Sequence, residues 1–199
     1  MASEPGYKVL CSKDQVMLKY KRYPPGTQCV KNTFLIDFEM YNPSPTVNMA
    51  RFCSFNIFKL IFEVNRNDAI EELTLDECDD DASQANMTML FKRKGGDFGI
   101  KQKYMSLHIS LTKSGDNYVF EGEPAPEVYR NDNNNTLEQI KDASSVFCMS
   151  LLSPDKIRVQ FMLSLPVPID EQPSYIEQNL GVVMKKVLSR TKKFIEAMK

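Results

Sequence analysis

The sequence predicts a mainly β domain of the α+β class. Its expected form is an antiparallel sandwich or barrel-like body with a long amphipathic helix at the C-terminus. Three observations carry this. Short apolar runs with period-two alternation recur as far as Leu165. Turn chemistry rich in Pro, Gly and Asn separates them. After Pro173 the apolar period changes from two to between three and four.

The first expected strands are Tyr7 to Cys11 and Gln15 to Tyr20. Pro24-Pro25-Gly26 is a turn, proline setting φ and glycine supplying a positive φ. Thr33 to Tyr41 follows as a strand with Phe34, Ile36, Phe38 and Met40 on one face, and Asn42-Pro-Ser-Pro45 ends it. Ser54 to Val64 is apolar on both faces and reads as a central strand, with a buried helix as the alternative. Ala69 to Leu75 is a further strand leading into the acidic run Asp76 to Asp81. Met87 to Arg93 and Ile100 to Thr112 form an expected hairpin about Lys94-Gly-Gly-Asp97. Its second strand alternates cleanly, Met105, Leu107, Ile109 and Leu111 against Tyr104, Ser106, His108 and Ser110. Asn117 to Glu121 is short, and Glu123 to Thr136 reads as a loop. Ser144 to Leu152 fits a strand or a helical turn. Lys156 to Leu165 places Ile157, Val159, Phe161, Leu163 and Leu165 inward. About nine strands result. The domain division is 1–165 for the β body, 166–172 for an extended linker and 173–199 for the helix.

The helix is legible in detail. Pro173 marks its boundary, and Ser174 with Glu177 makes a capping box. Ile176, Leu180, Val183, Met184, Val187, Leu188, Phe194, Ile195 and Met198 form one apolar stripe. Lys185, Lys186, Arg190, Lys192, Lys193 and Lys199 crowd the C-terminal half, where cations favour the helix dipole. Gly181 weakens the helix by about 1 kcal/mol relative to alanine. Helical stability comes mostly from tertiary packing, so the stripe needs a surface. The chain's own sheet, another protein or a membrane could supply it. The absence of tryptophan weakens the membrane option. As a partner contact, the stripe offers Val183, Val187, Leu188, Phe194, Ile195 and Met198 to a groove on another subunit.

At 199 residues the chain is long enough to bury a core without disulfides or metal. The formal net charge of −1 argues against a broad nucleic-acid coat. Charge is nonetheless blocky: residues 61–81 carry nine acids and one base, and residues 185–199 six bases and one acid. The N-terminal residues are polar and lack a signal-peptide core. No apolar run approaches a membrane span. Cys11, Cys29, Cys53, Cys78 and Cys148 are odd in number and scattered, which fits reduced thiols and an intracellular setting, cytoplasmic or nuclear.

Catalytic signals are thin. Asp97-Phe-Gly99 lacks every other kinase element and reads as part of a turn. His108 is the only histidine, and its register points it away from the expected core. No Cys-x-x-Cys or histidine pair offers zinc spacing. The acidic run at 76–81 lacks the glycine and final glutamate of an EF-hand. The expectation is therefore no enzyme, no cofactor and no metal. Lys19-Tyr20-Lys21-Arg22-Tyr23 and Lys92-Arg93-Lys94 interleave or adjoin cations and aromatic rings, as single-strand binders do. The reading is a non-catalytic interaction module or complex subunit, an adaptor using its C-terminal helix. The alternative is an OB-like single-stranded nucleic-acid binder.

Overall fold

A computed structural model of the chain describes residues 6–21, 31–76, 83–93, 101–126, 137–166 and 175–199. Ten strands lie among these: β1 (Lys8–Lys13), β2 (Val16–Lys21), β3 (Lys31–Tyr41), β4 (Ile70–Asp76), β5 (Gln84–Phe91), β6 (Gln102–Ser114), β7 (Asn117–Pro124), β8 (Leu137–Gln139), β9 (Ser144–Ser153) and β10 (Lys156–Pro166). They form one sheet in the order β1-β2-β3-β10-β9-β7-β6-β5-β4. Every pairing along that path is antiparallel, and β8 joins β6 in parallel. The mainly β, antiparallel architecture with a long C-terminal helix is as the sequence predicts. The turn readings at 24–26 and 94–97 lie outside the described residues, as do residues 127–136 of the loop read at 123–136, the acidic residues 77–81 and the helix cap at Pro173 and Ser174. Glu123 and Pro124, read as loop, end β7.

One element differs from the strand reading. Residues Asn56–Asn65 form a helix, α1, after a short 3-10 turn at Met49–Phe52. As a strand, Ile57, Lys59, Ile61 and Glu63 would share one face, burying two charges beside two isoleucines. The helix separates them. Ile57, Phe58, Ile61 and Asn65 are buried, while Lys59 and Glu63 are exposed. The ambiguous run at 144–152 is a strand, its Phe147 and Met149 buried.

The second helix, α2 (Tyr175–Glu196), packs against β2, β3 and α1. Its apolar stripe meets the inward side chains of the sheet. Phe34, Ile36, Phe38 and Met40 of β3 and Ile157, Val159, Leu163 and Leu165 of β10 are all buried in the same cluster as Met184, Val187, Leu188 and Ile195. A second group of rings joins α1 to the sheet. Phe58 meets Phe120 edge-on with centroids 5.5 Å apart, and lies 5.9 Å from Phe147. Such pairs contribute about 0.5–1.5 kcal/mol each beyond their buried area.

Gly181 explains how closely α2 approaches the sheet. A Cβ there would lie 2.5 Å from Cδ1 and 2.7 Å from Cε1 of Phe34. Phe34 is itself 1 % exposed and packed at a tilt against Tyr20 with centroids 5.3 Å apart, so its ring has little room to move. Two effects compete in Gly181→Ala. Helix propensity favours alanine by about 1 kcal/mol. Overpacking costs about 1–3 kcal/mol. We expect a net destabilisation of about 1 kcal/mol, read as a lower urea midpoint. A midpoint above wild type would show that the contact yields.

Candidate functional site

Between the sheet and the two helices lies a cavity of about 30 Å³. Phe58 and Ile61 of α1 and Met184 and Leu188 of α2 form one wall. Met87 and Met89 of β5, Met105 and Leu107 of β6, Ser145 and Phe147 of β9 and Phe161 of β10 form the other. The sheet alternation puts these side chains on the inner face, and the helical period brings α1 and α2 onto it. No charged side chain is among the described lining residues. Ser145 is the one hydroxyl. Four of the eleven lining residues are methionines, flexible enough to repack around a guest. The volume equals about one water-sized space, against roughly 300–1,000 Å³ for a ligand pocket. As it stands, the cavity is too small for a ligand.

A larger hollow of about 240 Å³ lies against β3, β10 and β9, beneath Tyr7. Its floor is Leu35, Val146, Cys148, Gln160 and Met162, whose strand positions alternate with the inward ones, so it lies on the outer face. It is the more open of the two.

Polar contacts hold α2 in place over the inner cavity. Asn42, directly after β3, donates through Nδ2 to Ile195 O (2.6 Å) and Met198 O (3.1 Å). Its Oδ1 accepts from Ser44 N at 2.9 Å. Asn65 at the end of α1 donates through Nδ2 to Ile61 O (2.8 Å), Val187 O and Thr191 Oγ1 (both 3.3 Å). Arg190 pairs with Asp68, and Lys193 with Asp14 at 2.8 Å. The hydrogen bond from Lys193 holds the Asp14 carboxyl below its ordinary range, and Arg190 does the same for Asp68.

The residues singled out in the sequence fall in three places. Val187, Leu188 and Ile195 are buried within the chain's own core, at 1 %, 3 % and 0 % exposure, and Val183 packs against that core. Phe194 and Met198 are exposed at 48 % and 37 %. The two basic clusters do not come together along the sheet. Lys19, Tyr20 and Lys21 lie on β2, and Lys92 and Arg93 follow β5, with β3, β10, β9, β7 and β6 between them. Tyr20 is packed on Phe34, Lys21 Nζ lies 5.6 Å from the ring centroid of Tyr7, and Lys92 Nζ donates to Asn67 O at 2.7 Å. Arg22, Tyr23 and Lys94 lie outside the described residues. His108 is exposed, its Nδ1 2.9 Å from Asn86 Oδ1. Burial pushes the Cys53 thiol up to about 11 and raises that of Cys148, so neither is a ready nucleophile. Among the described residues, no cluster of metal-ligating side chains is present, and no helix is long and apolar enough to cross a membrane.

No protein-family model matches this sequence, and no curated protein is significantly similar to it. Solved structures are informative. The lipid transfer and protein localization domain of human StarD13 superposes with a TM-score of 0.67 at 10 % identity, over 97 % of this chain and 90 % of that one. Human STARD10 gives 0.66 at 10 % identity, over 97 % and 74 %. A STAR-related lipid transfer protein fragment from Xanthomonas axonopodis gives 0.66 at 10 % identity, over 96 % and 98 %. The chain has their helix-grip fold. The ZhuI aromatase/cyclase from Streptomyces is a more distant match, with a TM-score of 0.52 at 7 % identity over 83 % of this chain and 94 % of that one.

These findings overturn the adaptor reading and its alternative. Val187, Leu188 and Ile195 of α2 are already buried in the chain's own core, where α2 packs on β2, β3 and α1. The stripe therefore does not stand as a groove-binding contact for another subunit. The OB-like nucleic-acid reading falls with the fold assignment and with the separation of the basic clusters. What sequence reasoning missed is the cavity wall. Met87, Met89, Met105 and Ser145 carry no motif. The one available signal was a count of 11 methionines with no tryptophan.

Proposed function

We propose that the chain binds a lipid, holding its apolar part between the inner face of the sheet and α2. The observation that carries this is the uncharged, methionine-lined cavity under α2 in a fold shared with lipid transfer domains. At about 30 Å³ the cavity must open to take such a guest. The methionines can change rotamer at low cost, and α2 can shift against the sheet. Binding rather than catalysis is the activity supported: the described lining holds no acid, base or activated thiol, although an aromatase/cyclase shares the fold more distantly.

Purified protein titrated into fluorescent sterol, long-chain alcohol and phosphatidylcholine probes should bind at least one saturably at 1:1. Met184→Trp fills the cavity from the helix side and should weaken that binding at least tenfold with the far-ultraviolet circular dichroism unchanged. Absence of saturable binding to all three probes would sink the proposal.

A further inference from the structure

Among the described lining residues, the cavity wall is polar at one point. Ser145 Oγ is the single hydroxyl there, on a half-buried residue. It stands over Gly122 of the neighbouring strand β7, where a Cβ would lie 2.6 Å from Oγ and 3.1 Å from Cδ1 of Leu107. Glycine here gives the serine its place: any larger residue would push the hydroxyl aside. Gly122 and Ser145 sit on paired strands, so their position is set by the sheet ladder rather than by the methionines that must move.

We infer, on the basis of the lipid-binding reading, that the ligand is an uncharged lipid with a single hydroxyl-type head, hydrogen-bonded to Ser145 over Gly122. A serine hydroxyl can donate and accept, so it matches an alcohol head in either sense. A carboxylate or phosphate would enter a wall with no described cation to pair it, and an unpaired buried charge is strongly disfavoured.

The test uses three probes with one conjugated tetraene tail: parinaryl alcohol, cis-parinarate and the headless hydrocarbon. Each is titrated at pH 8 into the full chain and into Ser145→Ala, with melting temperatures compared. The alcohol should bind wild type about tenfold more tightly than parinarate. Ser145→Ala should weaken the alcohol about five- to tenfold, the effect of one hydrogen bond, and leave the hydrocarbon unchanged. Parinarate binding as tightly as the alcohol, or an alcohol affinity indifferent to Ser145→Ala, overturns the head-group assignment while leaving the lipid reading intact. Failure of all three probes to bind wild type overturns both.

Discussion

Val187→Asp should unfold the isolated chain, or lower its melting temperature by more than about 10 °C. Val187 is 1 % exposed and sits where α2 meets the core. The Val187 carbonyl also accepts from Thr191 Oγ1 (3.1 Å) and Asn65 Nδ2, so this turn of the helix cannot swing out without breaking the clamp to α1. Burying an unpaired carboxylate costs several kcal/mol, against a total stability of about 5–15 kcal/mol for a domain. The exposed side of the same helix provides the control. Val182 is 49 % exposed, and Val182→Asp should move the melting temperature by no more than about 2 °C. Thermal melts followed by circular dichroism decide the matter. Equal effects at the two positions would mean that α2 does not bury its stripe on its own sheet.

Asn42→Ala should cost about 2–4 kcal/mol. Helices leave their last carbonyls without regular intrahelical partners. At the end of α2 they are met by the backbone N–H groups of Ala197 and Met198 and by one side chain, Asn42 from the loop after β3. Alanine removes two donors to the helix end and the acceptor for Ser44 N. Ile195 O, on a residue that is 0 % exposed, keeps only the 3.3 Å bond from Met198 N. Each of the three hydrogen bonds lost contributes about 0.5–1.5 kcal/mol. At about 2–4 °C per kcal/mol for a chain of this size, the melting temperature should fall by roughly 4–16 °C. Asn42→Asp keeps the acceptor for Ser44 but loses the donors, so it should be no better than alanine. A stable Asn42→Asp variant would show that the donors to α2 contribute nothing.

Most strands and the final helix were legible in the sequence for a local reason. A sheet buried on its inner face imposes period two, as in Met105, Leu107 and Ile109 of β6 and in Ile157 to Leu165 of β10. A helix laid on that face imposes its own period, as in Met184, Val187, Leu188 and Ile195. Asn56–Asn65 escaped the strand and helix tests because it is apolar on every side but that of Lys59 and Glu63. Apolar periodicity says that a face is covered, and not by what. Only the tertiary structure decided that α2 is covered by its own sheet, that Gly181 is the notch for Phe34, and that Asn42 closes the helix end. The candidate site is more hidden still. Its wall draws on six elements, from Phe58 to Leu188, and a cavity-lining methionine has the same pattern as a core methionine until the six are brought together.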